Sequence, residues 1–131
     1  MSSDHKKLIE VAMRVRENAY APYSKFAVGA AVETANGKVF TGCNVENAVF
    51  NVGVCAERTA IFKAVSEGEQ HIIRIAVVAE GAAPCAPCGV CRQALMEFAH
   101  DDVEVIMANT AGKIKVRPLS ELLPDAFRLK R

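Results

Sequence analysis

The sequence predicts an α/β fold in three layers, α-β-α, with a mixed five-stranded sheet in the middle. Ile72 to Ala79 is a nearly continuous apolar run rich in β-branched residues, which is typical of a strand covered on both faces. A helical segment separates it from a similar run at Val103 to Ala108, and such a crossover makes the two strands parallel. Asn36-Gly37 indicates an antiparallel hairpin earlier in the chain. Parallel and antiparallel pairs together make the sheet mixed.

The first elements are a helix and this hairpin. Asp4 is expected to cap a helix that runs to about Asn18, because apolar residues recur at helical spacing on one face. Ala21-Pro22-Tyr23 ends that helix. Ala27 to Thr34 and Lys38 to Cys43 are predicted as the two hairpin strands. We therefore expect the chain to enter the sheet through an antiparallel pair.

The remaining elements cover and close the sheet. Cys55 to Glu67 is predicted as a helix that Gly68 ends, and Cys88 to about Ala99 as the helix of the parallel crossover. Lys113 to Val116 is expected to be a short edge strand, and Leu119 to Leu123 a last helical turn. Helices then lie on both faces of the sheet, within one domain over residues 1–131.

Composition limits the partners and the compartment. Sixteen basic and fifteen acidic residues give a net charge of +1, so no basic excess is present to bind nucleic acid. No apolar run is long enough to span a membrane, and we expect a cytoplasmic protein. In that reducing compartment the five cysteines are thiols or metal ligands rather than disulfides.

Two cysteine motifs indicate a metal site. Cys55 and Glu57 form a Cys-x-Glu sequence, and Cys88 and Cys91 form Pro-Cys-x-x-Cys. A Cys-x-x-Cys motif alone is compatible with a redox pair, a structural zinc site or a catalytic one. The third cysteine weakens the redox interpretation. A structural site needs a fourth ligand, for which Cys43 and Cys85 are the candidates, and Cys85 lies only three residues before Cys88.

Glu57 favours the catalytic interpretation. Catalytic zinc needs three protein ligands, an open position for water and a nearby base, and three cysteines with one glutamate supply that set. Three thiolates on a dication leave a net charge of −1, which weakens the metal as an electrophile. Two helix N-termini offset this charge, and Arg58 adds to the offset if it contacts a cysteine sulfur. The alternative for Glu57 is an acidic residue that is favoured only by the helix dipole, and the alternative for Arg58 is a solvated helix residue.

Five sequence blocks extend the pattern over nearly the whole chain. They are Ala21-Pro22-Tyr23-Ser24-Lys25-Phe26, Gly42-Cys43-Asn44-Val45-Glu46-Asn47-Ala48, Cys55-Ala56-Glu57-Arg58-Thr59-Ala60, Pro87-Cys88-Gly89-Val90-Cys91-Arg92-Gln93 and Glu121-Leu122-Leu123-Pro124. In this order they resemble the cytidine deaminase family, in its short homotetrameric form with three cysteine ligands. The resemblance implies a cytidine deaminase-like fold, one Zn²⁺ per subunit, and deamination of cytidine and deoxycytidine in pyrimidine salvage.

The same resemblance implies a role for each site residue. It makes Cys55, Cys88 and Cys91 the zinc ligands, Glu57 the proton shuttle between water, N3 and the departing amine, and Arg58 a catalytic neighbour, and leaves Cys85 a bystander. The residues expected to contact substrate are Phe26, Asn44, Glu46, Ala48, Phe50, Ala56 and Phe127. Of these, Asn44 and Glu46 hold the ribose 3′-hydroxyl, and Phe26 packs on the base. Ala48, Phe50 and Phe127 are expected to act in another subunit's site, so that sites are shared within a homotetramer.

Three rivals remain open at this point. A related zinc deaminase acting on a nucleoside antibiotic such as blasticidin S would use the same chemistry at C4. An RNA- or DNA-editing deaminase is disfavoured, because such enzymes need a basic surface around the pocket. A structural zinc module that binds partners would need no carboxylate beside the metal.

Overall fold

The computed structural model describes residues 3–129. Its helices and strands follow one another along the chain in the order α1 Ser3–Arg16, β1 Val28–Thr34, β2 Val39–Cys43, α2 Ala56–Ser66, β3 Ile72–Ala79, α3 Gly89–Glu97, β4 Glu104–Asn109, β5 Ile114–Pro118 and α4 Leu119–Leu122. Each predicted element is present, with ends that differ from the expected ones by at most two residues. No helix within residues 3–129 has both the length and the apolar character needed to cross a membrane.

The five strands form one mixed sheet, as predicted. Their order is β2-β1-β3-β4-β5, which places β3 in the centre. Strands β3 and β4 are parallel, and Ile75 pairs with Val105 in their register. The other neighbouring strands are antiparallel. The apolar run of β3 is central because only an inner strand has both faces covered.

Helices cover both faces of the sheet, which confirms the three-layer prediction. On one face α1 inserts Leu8 and Ala12 against Ala31, Ala76 and the rest of a small apolar cluster. On the other face α2 and α3 pack on a larger cluster that alternate residues of the same strands supply. The metal motifs lie on this second face, at the start of α2 and of α3.

The cap predicted for the first helix is wrong. Asp4 lies within the first turn of α1, which includes Ser3, so it does not precede the helix. An acidic side chain is favourable there as well, because its charge interacts with the positive end of the helix dipole. The periodic apolar pattern correctly located the helix, whereas a cap assignment depends on one residue.

Close backbone contact between β2 and α2 fixes where the metal motif begins. A Cβ atom built at Gly42 would lie 2.5 Å from the Ala60 nitrogen and 2.7 Å from the Ala56 carbonyl oxygen. Only glycine therefore lets β2 approach the first turn of α2 this closely. The contact sets the position of the helix that starts directly after Cys55.

Candidate metal centre and active site

Three cysteine sulfurs meet where α2 and α3 begin. The Sγ atoms of Cys55, Cys88 and Cys91 all lie within 4.8 Å of one another. Cys55 is the residue before α2 and Cys88 the residue before α3, and both have extended backbone. Cys91 follows in the first turn of α3 and is buried. The positive ends of two helix dipoles thus meet at a cluster of sulfur donors.

The cluster fits zinc. In a tetrahedral site with Zn–S bonds of about 2.3 Å, sulfurs lie roughly 3.8 Å apart, which is compatible with the observed grouping. Cys85 does not join the group in the part of the chain that the structure describes, which disfavours the four-cysteine structural site. Three soft ligands and no fourth protein donor are typical of catalytic zinc, which keeps one position open.

Arg58 adds positive charge to the sulfur cluster, as expected. Its Nη2 atom donates a hydrogen bond to Cys55 Sγ at 3.6 Å. Hydrogen bonds from the Cys91 thiol and from Arg58 lower the pKa of Cys55 to about 5. The bond with Cys55, together with burial, raises the pKa of Cys91. Ionisation of Cys55 therefore disfavours ionisation of Cys91. A dication is needed to hold all three sulfurs as thiolates.

Glu57 lies in the first turn of α2 and is buried, with 5% of its surface exposed. Burial raises the pKa of its carboxyl, and the negative charge of Cys55 adds to the rise. The Cys91 thiol and the backbone of Cys88 both interact with the carboxyl, which therefore faces the sulfur cluster. A raised pKa makes the carboxyl a stronger base, which suits a group that takes and returns protons.

A cavity of about 220 Å³ opens beside the cluster. Seven residues predicted for the site line it: Phe26, Asn44, Glu46, Cys55, Ala56, Glu57 and Cys88. Ser24, Val28, Cys85 and Ala86 complete the wall. The structure thus brings an aromatic ring, an amide, two carboxylates and a sulfur cluster to one small cavity, which is suited to a heterocycle that carries a polar group.

Comparisons with known proteins place this arrangement in a family. Residues 2–107 match the model of the cytidine and deoxycytidylate deaminase zinc-binding region. The chain belongs to this deaminase family. The cytidine deaminase of Halalkalibacterium halodurans is 48% identical over 95% of this chain and 94% of its own length. That of Sporosarcina psychrophila is 46% identical over 95% of this chain and 91% of its own.

A solved structure agrees in fold with this deaminase. The crystal structure of cytidine deaminase from Burkholderia pseudomallei superposes with a TM-score of 0.90 at 50% identity. The match covers 97% of this chain and all of the other. Fold and zinc-binding motifs are therefore shared over nearly the full length, as the resemblance had led us to expect.

Sequence reasoning missed two side chains that shape the deaminase site. Ser24 lines the cavity and hydrogen-bonds with Glu46, and it belongs to the same sequence block as Phe26. Arg92 donates from Nε to the Pro87 carbonyl at 2.8 Å and from Nη1 to the Leu122 carbonyl at 2.7 Å. Arg92 therefore holds the loop before Cys88 against α4. The sequence offered one signal for each of them. Ser24 lies two positions before Phe26, and Arg92 directly follows Cys91 in the second cysteine motif.

Three of the residues expected to contact substrate lie outside this cavity in the single chain. Phe50 is 81% exposed and lines an adjoining cavity of about 350 Å³, which shares Asn44, Glu46 and Cys55 with the first. Ala48 is exposed on the same loop. Phe127 is 66% exposed and lies on a different surface beside Phe62. Their roles in substrate binding stay predictions.

Proposed function

We propose that this deaminase hydrolyses cytidine and deoxycytidine to uridine and deoxyuridine, with release of ammonia, in pyrimidine salvage. The observation that carries the proposal is the buried Glu57 carboxyl, which faces three clustered cysteine sulfurs at a cavity with an aromatic wall. A purely structural zinc site has no use for a buried carboxyl beside its ligands. Burying one without a compensating role costs free energy.

Glu57 moves the protons of the reaction. Zinc held by Cys55, Cys88 and Cys91 supplies a Lewis acid that makes water nucleophilic at neutral pH. As the water oxygen adds to C4 of the base, Glu57 takes a proton from it and delivers that proton to N3. Glu57 then carries the proton of the new C4 hydroxyl to the amine. The C4–N4 bond breaks, a carbonyl forms at C4, and ammonia leaves.

The cavity wall binds and orients the nucleoside. Phe26 packs on the base, because an aromatic face suits a flat heterocycle. The Asn44 amide and the Glu46 carboxylate hold the ribose 3′-hydroxyl, since together they offer a donor and an acceptor to one hydroxyl. Ala56 borders the base beside Glu57. None of these contacts requires a 2′-hydroxyl, which is why both cytidine and deoxycytidine are expected to bind.

The active form is a homotetramer whose sites are shared between subunits. The support is a set of exposed apolar side chains on two surfaces: Phe50 and Val52 on the loop after β2, and Phe127 on the other surface, are all more than 60% exposed. Large apolar side chains left exposed in this way are typical of protein interfaces. Phe50, Ala48 and Phe127 then complete the cavities of neighbouring subunits.

Shared sites predict rescue between inactive chains. Glu57→Gln removes the proton shuttle, and Phe127→Ala removes an aromatic supplied to a neighbour. Mixing the two variants under subunit exchange is expected to yield sites with both residues intact and to restore activity above that of either variant. Equal activity before and after mixing, with exchange verified by mass spectrometry, would contradict shared sites. Light scattering gives the number of subunits directly.

The proposed compartment is the cytoplasm. All five cysteines are free thiols in the structure. Three of them must stay reduced to bind zinc, and cytoplasmic thiol systems maintain that state. Fractionation of cells that produce the protein at native level tests this assignment.

An ultraviolet assay with cytidine, paired with zinc analysis of the same sample, tests the function directly. We expect turnover of cytidine and deoxycytidine and about one zinc per chain. Blasticidin S offered under identical conditions tests the rival antibiotic deaminase. Turnover of blasticidin S without turnover of cytidine would exclude the proposed substrate while leaving the chemistry intact.

A further inference from the structure

A serine outside the predicted site set ties two parts of the cavity wall together. Ser24 Oγ donates a hydrogen bond to Glu46 Oε2 and accepts one from the Phe26 backbone nitrogen at 3.1 Å. The backbone nitrogens of Tyr23 and Ser24 donate to the other Glu46 oxygen, at 3.0 and 3.1 Å. One hydroxyl therefore connects the carboxylate of Glu46 with the backbone of Phe26.

Asn44 holds the other side of Phe26. Its Nδ2 atom donates to the Phe26 carbonyl at 2.8 Å, and its Oδ1 atom accepts from the Val28 nitrogen at 2.9 Å. Side chains thus bind both the N–H and the carbonyl of Phe26. The ring of Phe26 is 46% exposed and lines the cavity, so its position depends on these backbone bonds rather than on core packing.

The segment between these bonds is strained. Lys25 has a φ of 61°, in the left-handed region that non-glycine residues rarely adopt. Such a conformation is unfavourable for a residue with a side chain and persists where neighbouring contacts over-determine it. Ser24 and Phe26, on either side of Lys25, supply those contacts.

The hydrogen-bonding capacity that remains is small and directed. Asn44 keeps one N–H beyond its bond to Phe26, and Glu46 Oε2 keeps acceptor capacity beyond its bond from Ser24. One donor and one acceptor can satisfy a single hydroxyl. The backbone bonds hold Glu46 Oε1, and the Ser24 hydroxyl holds Oε2, which is the oxygen left to accept from a ligand.

We propose that Ser24 is a positioning residue that sets the Glu46 carboxylate for one sugar hydroxyl and holds Phe26 against the base. This inference rests on the proposed function, because it takes a nucleoside as the occupant of the cavity. Ser24 itself acts through Glu46 and Phe26. Hydrogen bonds to charged groups contribute more than neutral ones, so losing this one is expected to weaken sugar binding measurably.

The test compares zinc-loaded Ser24→Ala with the unaltered protein on cytidine and on 3′-deoxycytidine. We expect KM for cytidine to rise roughly 5- to 30-fold, with kcat within about twofold. For 3′-deoxycytidine the rise is smaller, because the hydroxyl that Glu46 reads is absent. Ser24→Thr keeps the hydroxyl and is expected to restore most of the affinity. Calorimetric titration with the product uridine should show the same order of affinities without turnover.

Ser66→Ala is the matched control, since the hydroxyl of that exposed serine, among the residues that the structure describes, hydrogen-bonds only to the Lys63 carbonyl on α2. Equal losses on both substrates in Ser24→Ala would overturn the positioning of Glu46, and no rescue by threonine would overturn the positioning role as a whole. Unchanged kinetics in Ser24→Ala, with cytidine turned over by the unaltered protein, would overturn this inference alone. Absence of cytidine turnover by the unaltered protein would overturn the proposed function together with it.

Discussion

The guanidinium of Arg58 and the sulfur of Cys55 form a hydrogen bond of 3.6 Å within the first turn of α2. The bond joins a residue outside the predicted ligand set to a predicted zinc ligand, and it places a positive charge beside the sulfur of that ligand. Two helix N-termini already offset part of the thiolate charge. The contribution of Arg58 is therefore an addition to that of the helices.

Arg58→Ala is expected to lower kcat roughly 10- to 100-fold while zinc content stays near one per chain, because one charge-assisted bond to a ligand is lost. Arg58→Lys keeps the charge without the planar group and should fall between the two. Steady-state kinetics and metal analysis on the same samples measure both effects. Kinetics that do not change in Arg58→Ala would mean that the helix dipoles suffice.

Glu57→Gln tests proton transfer by Glu57 without disturbing the fold. Glutamine has the same shape, and it removes a buried group whose pKa burial raises, so folding should not suffer. Deamination is expected to fall by at least about 10²- to 10⁴-fold, the usual range for a general acid–base residue. Zinc content and melting temperature should stay close to those of the unaltered protein. Activity retained in a zinc-loaded Glu57→Gln protein would exclude the mechanism.

The architecture was accessible from sequence because periodicity is a local property that tertiary contacts seldom reverse. Ile72–Ala79 was located to the residue, since a continuous β-branched run bounded by polar residues has few alternatives. The cysteine motifs were accessible for a similar reason, because each is contiguous and each begins a helix. Helix ends were less well defined, as Asp4 shows.

The bond between Ser24 and Glu46 was not accessible in this way. The two residues lie 22 positions apart on separate loops, and no periodic pattern relates loop residues across that distance. Their pairing follows from how the loop before β1 packs on the loop after β2. For Phe127 the resemblance implied a role in another subunit's site, which the structure of a single chain does not show, because Phe127 lies beside Phe62 on another surface. A partner subunit cannot be read from one chain's local pattern.

Cys85 lies on the cavity wall, outside the sulfur group, and burial raises the pKa of its thiol to about 11. It is therefore protonated at neutral pH, and its sulfur lies apart from the three that cluster. Cys85→Ala is expected to keep one zinc per chain and nearly full activity, with a loss of about 1 kcal/mol in unfolding free energy from the space left behind. Cys88→Ala is the control that should lose zinc. Zinc loss in Cys85→Ala would bring back the structural site.

Gly42→Ala tests whether contact between β2 and α2 positions the metal centre. The new Cβ would lie 2.5 Å from the Ala60 nitrogen, so backbone must move, at a cost of about 1–3 kcal/mol or more. We expect a lower melting temperature and weaker zinc affinity in a chelator competition assay. Gly89→Ala is the control, because within residues 3–129 its added Cβ meets no atom within 4 Å beyond its chain neighbours and its own helix. Normal zinc affinity in a destabilised Gly42→Ala protein would show that the site tolerates the shift.

Glu104 predicts a pH dependence of stability away from the metal. Its Oε1 atom accepts from His5 Nε2 at 3.1 Å and from Arg74 Nε at 2.9 Å. His5 first, and then Arg74, lower the pKa of this carboxyl from its ordinary value of 4.5. A lowered pKa in the folded state means that the stabilisation is full above the unfolded value and is lost as pH falls through the folded one. Glu104→Gln should therefore matter at pH 7 and cease to matter in acid.

The expected gap in melting temperature between the unaltered protein and Glu104→Gln is a few degrees at pH 7. It is small because 42% of the Glu104 side chain is exposed and solvent screens the pair, which limits the contribution to under about 1 kcal/mol. The gap should close as pH falls from about 5 to about 3. A double-mutant cycle with Glu104→Gln and Arg74→Gln isolates the coupling between Glu104 and Arg74 from other losses in acid. Because zinc loss in acid affects both proteins, only the difference between them reports on Glu104. A gap that stays constant to pH 3 would mean that Glu104 acts through packing rather than charge.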